Sequence, residues 1–589
     1  MALAVGLASL LFEPYVAHVA TSWLIFGLLG LSLDLVWGRM GLLSLGQTAF
    51  FGVGAYAGSV AAVNWAGLTG NTLMWSLPAG ALAGAGMAAL IGWIIFYGRL
   101  GALQGTVLTY TVTLMLWTAS VSFKANIGQA VIGGDNGMSE IPGMVLAFGP
   151  DAAELSPRGM FVCVLTIVAA IFLLVRWLMR SPFGVLVDCI RLQPDKTELL
   201  GYNARGYQLV FFCMAGGLAG IAGALYGSWA NYLSPSIFSA QDALLVPIYV
   251  LVGGLGSLAG PFAGALAVGG LSFWLGGGAA GNQATLVMGA CLIGLVMFLR
   301  GGLLSLWPRG RRSGGTQGGA APPVDESQHA VRPDPGLLAR LRALRPPADG
   351  TPSLMTDGIL KRFGGVVPVR HISRQFSAGR VHCVIGPNGA GKSSFLRCCT
   401  GVHAVDEGTI TLCGSDATRW NTSRRACAGV GIKMQAAQVF DDLDVRTNLW
   451  VAAYRRARDA ALADELAQAM LAMLGLLGQG HRLASALSHG EQQWLDIGMV
   501  LCQSPTVMFF DEPAAGMTGA DRRALCTLLK QLALTAAVVV VEHDMAFVAE
   551  LDADVTVLHQ GEVFAEGELA DLRQDARILD IYLGRRKHA

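Results

Sequence analysis

Six stretches of roughly twenty residues, at 19–37, 43–64, 74–98, 102–123, 159–179 and 207–232, are apolar almost throughout, and a Gly-broken apolar stretch follows from 243 to 299. Hydrocarbon offers no partner to backbone N–H and C=O groups, so segments of this length and polarity are restricted to spanning helices. Composition agrees: 53% of the 589 residues are hydrophobic and only 14% are charged. A formal net charge of +1 argues against nucleic acid as a partner. The eleven cysteines are scattered, with no C-x-x-C pair, and suggest neither a zinc site nor a disulfide framework. The start, Met1 to Phe12, lacks a basic n-region and reads as a shortened leading membrane segment instead of a cleaved signal peptide.

The second half changes character. Gly386 to Ser393 fits G-x-x-x-x-G-K-[ST], the phosphate-binding loop. Glycines at 386, 389 and 391 let backbone N–H groups, with Asn388 among them, turn inward around phosphate oxygens. Lys392 neutralises the terminal phosphates, and the Ser393 hydroxyl binds Mg²⁺. The context fits, because Arg380 to Ile385 is a short apolar run suited to a buried strand and Ser394 opens a helix whose positive end faces the phosphates. A second buried-strand pattern, Thr506 to Phe510, ends on Asp511 and Glu512. Carboxylates at strand ends lie where open α/β sheets bind ligands. Asp511 there can hold Mg²⁺ through water, and Glu512 can take a proton from an attacking water. A third run, Val538 to Val541, delivers Glu542, His543 and Asp544, and an imidazole so placed can contact a γ-phosphate. Leu487 to Glu491 puts Ser488 and Gly490 at the N-terminus of an apolar helical stretch, which serves either as an anion site or as a simple cap.

In that order, these motifs from about Met355 to the C-terminus resemble the nucleotide-binding domain of ABC transporters. The resemblance implies roles for further residues. Phe363 stacks on adenine, Gln435 is the Q-loop glutamine that reaches Mg²⁺, Leu487 to Glu491 is the signature sequence, and His543 is the switch histidine. Two positions depart from the commonest pattern: His489 replaces a glycine in the signature, and Thr518 stands where the D-loop usually has aspartate. The family also implies that two such domains close head to tail over ATP, so one copy cannot complete a site. The expected partners are a second permease and a second ATP-binding subunit, or a second copy of this chain.

Because ATP is cytoplasmic, the last span must end inside, and the basic loop 180–207 (Arg180, Arg191, Lys196, Arg205) is expected inside as well. Counting back places Arg39 and Arg99 inside and 125–158 outside, with Lys124 at the outer edge. An odd number of crossings then lies between Asn231 and Arg300. Three short passes broken near Gly256 to Pro261 and Gly276 to Gly281 satisfy this, as does one pass with a re-entrant segment. Gly216-x-x-x-Gly220 and Gly223-x-x-x-Gly227 are expected to let helices pack closely. Asp34, the deepest acid, is expected to pair with Arg39.

The membrane half also resembles the permeases of branched-chain amino acid and urea uptake systems. Leu31 to Ala57, Gly133 to Gly137, Ser181 to Tyr207 and Gly253 to Ser257 carry that likeness. It implies that Ser181 to Tyr207 contains the loop that presses on the ATPase near Gln435. Arg309 to Asp349, rich in Pro, Gly, Arg and Ser, reads as a flexible tether with a short helical patch at Leu337 to Leu344. The expected fold is a polytopic α-helical membrane domain (1–305), a linker (306–350) and an α/β P-loop ABC domain (351–589). The function this implies is ATP-driven uptake of a small polar solute across the bacterial inner membrane, served by a periplasmic solute-binding protein. The signature region leans toward urea and short-chain amides, while the permease half suits branched-chain amino acids or urea. The alternative is an ABC exporter half-transporter, which shares the layout of membrane domain followed by ATPase.

Overall fold

The computed structural model describes residues 13–145, 154–276, 289–290, 293–294, 301–306, 331–345, 353–575 and 577–578. The expectations for Met1 to Phe12, for the break at 277–281 and for most of the tether lie outside these. The described chain divides into two units, Met1–Arg191 with Arg205–Gly310, and Leu192–Ala204 with Arg311–Ala589.

The first unit is helical. It contains α1 (Pro14–Asp34), which continues as a π turn to Arg39, then α2 (Gln47–Thr69), α3 (Thr72–Tyr97) and α4 (Ala102–Ser122). A two-stranded hairpin, β1 (Lys124–Ile127) and β2 (Ala130–Gly133), follows and leaves Lys124 exposed. Next come α5 (Pro157–Met179) and α6 (Pro182–Leu192), and after the segment given to the other unit, α8 (Ala204–Ala230), α9 (Ala240–Gly253) and α10 (Gly260–Gly276). Among the described residues, four helices are long and apolar enough to cross a membrane: α1 through Arg39, α3, α5 and α8. Helices α2 and α4 have 23 and 21 residues, long enough at about 1.5 Å per residue to match the hydrocarbon thickness but not among those four. The expected break falls between Gly253 and Gly260, where Gly254 and Gly256 adopt left-handed φ values of 116° and 77°.

Close packing explains the glycine pairs. A Cβ on Gly220 would lie 2.1 Å from the Gly80 carbonyl oxygen, and one on Gly223 would lie 2.0 Å from that of Phe51. At these positions α8 approaches the backbones of α3 and α2, as small residues permit in a bilayer.

The expected Asp34–Arg39 pair does not form. Asp34 is fully buried and its Oδ1 accepts a 2.6 Å hydrogen bond from the Gly256 N–H, a donor freed by the break between α9 and α10. Arg39 instead pairs with Asp188 on α6 at 3.4 Å.

The second unit begins with α7 (Pro194–Leu199). Within the expected tether, α11 (Pro335–Ala343) is a helix capped by Asp334, and its Leu337 and Leu341 are buried. Strands β3 (Ser353–Phe363), β4 (Val366–Ser377), β6 (Glu407–Leu412) and β7 (Ser415–Asp416) make an antiparallel sheet in the order β4-β3-β6-β7. The larger sheet has the order β12-β11-β5-β10-β9-β8, built from β5 (Val381–Ile385), β8 (Val430–Lys433), β9 (Val507–Asp511), β10 (Ala537–Val541), β11 (Asp554–His559) and β12 (Glu562–Glu568). All its pairings are parallel except β11 with β12. Near-continuous apolar runs suit these strands because both faces of a parallel sheet are covered. Its helices include α12 (Lys392–Thr400), α13 (Thr422–Cys427), α14 (Val445–Ala457), α15 (Ala460–Met473), α16 (His489–Cys502), α17 (Gly519–Ala533) and α18 (Met545–Leu551).

Candidate nucleotide site

Parallel register aligns the C-terminal ends of three neighbouring strands. Val541 of β10 stands opposite Val384 of β5 and Asp511 of β9, so the phosphate-binding loop, Asp511–Glu512 and Glu542–His543 leave the sheet side by side. This is the edge at which open α/β sheets bind ligands.

The loop from β5 to α12 turns through left-handed glycines, with φ of 153° at Gly386, 81° at Gly389 and 98° at Gly391. Gly391 caps α12, so Lys392, Ser393 and Ser394 occupy its first turn and Asn388 lies in the loop before it. The Lys392 ammonium donates to the Gly386 and Pro387 carbonyls at 2.7 and 3.0 Å. Burial lowers its pKa, while Glu512 and Asp511 oppose that shift. The Ser393 hydroxyl is hydrogen-bonded to Asp511, whose own pKa is raised, chiefly by burial.

Three residues singled out from separate parts of the sequence meet here. The Gln435 side-chain amide donates to Glu512 Oε2 at 2.8 Å, and His543 Nδ1 lies 3.6 Å from Glu512 Oε1. Glu512 holds a left-handed φ of 46°, a sparsely populated conformation for a non-glycine residue. Its N–H donates to the Val541 carbonyl at 2.9 Å, which ties the conformation to the sheet.

Two buried charges went unassigned in the sequence. Lys433, at the end of β8, is fully buried and its ammonium lies 3.3 and 3.5 Å from the carbonyl oxygens of Gln435 and Glu512. It therefore fixes the backbone of both residues, and burial lowers its pKa. Glu542, 2% exposed, accepts the Ala514 N–H at 3.2 Å, and burial raises its pKa. The available signal was a charged residue closing an apolar strand.

Other predicted residues lie apart from this cluster. Phe363 is 43% exposed at the end of β3, edge-on to His403 with ring centroids 5.0 Å apart. Ser488 caps α16: its Oγ accepts the Glu491 N–H at 3.3 Å, and Glu491 Oε2 accepts the Ser488 N–H at 2.8 Å. Gly490 has open space where a Cβ would stand. The two departures have local explanations. The His489 ring packs where Gly516 has no side chain, since a Cβ there would lie 2.9 Å from His489 Cδ2. Thr518 caps α17 and donates its hydroxyl to Asp521 at 2.7 Å.

The inserted segment Leu192–Ala204 is built into this unit. The Lys196 ammonium forms an ion pair with Asp496 of α16, both side chains being almost wholly buried, and the other Asp496 oxygen accepts the Gln438 N–H at 3.1 Å. The Tyr202 hydroxyl donates to the Val451 carbonyl at 2.8 Å, and the Gln193 amide donates to that of Val439 at 3.0 Å.

Comparison with known proteins agrees with this architecture. Residues 15–299 match the family model described as branched-chain amino acid transport system / permease component, and residues 369–515 match that of ABC transporter. The high-affinity branched-chain amino acid transport ATP-binding protein LivG of Salmonella typhimurium is 31% identical over 252 residues, covering 40% of this chain and 98% of that protein. BraF of Pseudomonas aeruginosa, of the same description, is 29% identical with the same coverage. The ribose import ATP-binding protein RbsA of Rhodococcus jostii is 31% identical over 39% of this chain and 46% of its own length. A solved nucleotide-free ATP-binding cassette from an ABC transporter is 25% identical, covering 40% of this chain and 99% of that one, with a TM-score of 0.36. The chain belongs to the ABC importer family, with a permease domain of the branched-chain amino acid transport type fused to an ATP-hydrolysing ABC domain. The permease domain is embedded in the inner membrane and the ATP-binding domain is cytoplasmic. It thus serves an import system for a small polar solute, not the exporter layout considered above.

Proposed function

We propose that ATP hydrolysis at the sheet edge drives uptake of a branched-chain amino acid or of urea and short-chain amides, and that Leu192–Ala204 carries the motion between the two. The observation that carries this reading is the buried Lys196–Asp496 pair. It locks a segment interposed between two helices of the membrane unit onto α16, the helix that Ser488 caps.

In this mechanism the phosphate loop (Gly386, Asn388, Gly389, Gly391) and the first turn of α12 (Lys392, Ser393, Ser394) hold the nucleotide phosphates, and Phe363 stacks on adenine. Glu512 accepts the proton of the attacking water. The hydrogen bond from Gln435 and the nearby His543 orient its carboxylate, and Lys433 holds the backbone from below. Mg²⁺ suits the oxygen donors present, Ser393 Oγ, the Asp511 carboxylate and the Gln435 side-chain oxygen left free by its bond to Glu512. When bound it would neutralise charge on the β- and γ-phosphates. Ser488 and Gly490 serve the nucleotide of a second ATPase domain, which belongs to another copy or to a separate subunit, and a second permease completes the membrane pathway. A periplasmic solute-binding protein delivers the solute.

The test is ATP-driven accumulation of radiolabelled leucine, urea and acetamide in vesicles holding the purified assembly, with and without the binding protein. Accumulation of one class with matching stimulation of hydrolysis supports the reading. Hydrolysis that ignores every solute, with no accumulation, overturns it.

A further inference from the structure

The membrane unit holds a partly open cavity of about 300 Å³ between α1, α2, α8 and α9. Phe26, Phe51, Tyr226 and Tyr249 wall it, with ring centroids of neighbouring pairs 5.5 to 6.2 Å apart. Besides the tyrosine hydroxyls, four polar side chains stand in this lining: Ser234 and Ser236, where the Ser236 hydroxyl donates to that of Ser234 at 3.1 Å, and Thr48 and Asp242. Thr48 is 2% exposed and its hydroxyl has no hydrogen-bond partner among the described residues, an expensive arrangement for a buried polar group unless something else supplies the bond. Asp242 lies in the first turn of α9, where one carboxylate oxygen accepts the Ser239 hydroxyl at 3.0 Å. Its Oδ1 receives no hydrogen bond from the described residues.

The charge pattern is selective. Among the described residues, no lysine, arginine or histidine lines the cavity. The positive end of α9 could have served an anion, but Asp242 and the Ser239 cap already answer it. An anionic group entering here would meet a carboxylate and no cation, in surroundings where an unpaired charge is costly. A zwitterionic amino acid carries such a group. An uncharged solute with N–H donors does not: its N–H can donate to Asp242, its carbonyl can accept from the Thr48 hydroxyl, and its planar faces suit aromatic walls.

We propose that this cavity is a solute site selective for uncharged amides and ureas over amino acid zwitterions and anions. The proposal rests on the importer reading and sharpens its substrate class. It is tested by equilibrium binding of radiolabelled acetamide and urea to the purified full chain in lipid nanodiscs, with leucine and acetate as competitors. The expected result is saturable amide binding, with leucine and acetate at least about tenfold weaker. Asp242→Asn should weaken amide binding about tenfold to a hundredfold, and Thr48→Val about fivefold. Both substitutions conserve shape, and gel filtration shows whether each variant has folded; the competition series needs no variant. Absence of saturable amide binding, leucine or acetate binding as tightly as acetamide, or undiminished binding in both folded variants would overturn the assignment. Vesicle uptake measured alongside separates the two readings. Binding without ATP-driven uptake leaves the cavity assignment standing and sinks the importer reading, whereas amide uptake unaffected by Asp242→Asn sinks the cavity assignment alone.

Discussion

Replacing Lys196 by methionine should detach the inserted segment from the ATPase. Lys196 and Asp496 are 2% and 0% exposed, so removing the ammonium leaves a buried carboxylate held by one backbone N–H, that of Gln438. Breaking a buried pair from one side costs about 3–5 kcal/mol, and about the lower end of that applies here because Lys433 still opposes the surviving charge. Replacing both partners differs. In Lys196→Met with Asp496→Asn no charge is stranded and the asparagine oxygen still accepts from Gln438, so the loss falls to roughly one hydrogen bond, about 1 kcal/mol. Hydrogen exchange of peptides covering 192–204 reads this locally, since the segment can open without the domain unfolding. At about 1.4 kcal/mol per factor of ten, the single variant should exchange about 10²- to 4 × 10³-fold faster, nearer the lower figure, and the double variant only about fivefold faster. Solute-stimulated ATP hydrolysis should fall in the same order. If the single and double variants exchange alike, the pair does not hold the segment, and the transmission route proposed through it is wrong.

Glu512→Gln should lower ATP turnover about 10²- to 10⁴-fold while leaving nucleotide binding intact, as measured by phosphate release and by labelled-ATP retention; unchanged turnover would remove the general-base role. Asp511→Asn should stabilise the nucleotide-free protein at neutral pH, because burial raises the pKa of Asp511 above its ordinary 3.8 and the folded state holds its proton more tightly than the unfolded chain. The folded state therefore loses stability as pH rises from the ordinary carboxylate value through the raised one. Melting curves should show the variant's advantage shrinking as pH falls toward about 4, and a constant advantage would contradict the linkage. Gly220→Ala should cost about 1–3 kcal/mol by forcing α8 from α3, and a melt in detergent matching the unaltered chain would refute so close an approach.

The sheet and its edge were legible because their signals are local. Short apolar runs before Gly386, Asp511 and Glu542 suit buried strands, and a parallel sheet puts their ends together whatever the side chains do. The meeting of Glu512 and His543 followed from that placement, whereas Gln435, which bonds Glu512, was singled out only by the resemblance to ABC ATPases. Lys433 was not legible, since a lysine after Val430-Gly431-Ile432 looks like the solvated end of a strand until the carbonyls of Gln435 and Glu512 are seen to enclose its ammonium. Ser488 illustrates a different limit. Its spacing to Glu491 allowed a cap or an anion site, and within one chain the cap alone is realised. Pro335–Ala343 was visible as a helical patch inside the tether, but the burial of Leu337 and Leu341 depends on what packs over them.

In the membrane half, pairing by closeness in sequence failed for a physical reason. Asp34 and Arg39 are neighbours on the chain, yet each takes its partner from far away, Asp34 Oδ1 the Gly256 N–H and one Arg39 terminal nitrogen the Asp188 carboxylate. In low dielectric an unpaired backbone donor is costly and an unpaired carboxylate costlier still, so the left-handed break at Gly254–Gly256 needs an acceptor and Asp34 needs a donor. The carboxylate thus pins the junction between two short helices to the first span. That junction closes α9, the same helix whose opposite end presents Asp242 to the aromatic cavity. Asp34→Leu would free the Gly256 N–H at about 1–3 kcal/mol and let α9 shift as a unit. Its effect should therefore reach amide binding about 17 Å along the helix, at about 1.5 Å per residue from Gly253 back to Asp242. Amide affinity unchanged in Asp34→Leu would show that α9 is held by its lateral packing and not by its ends.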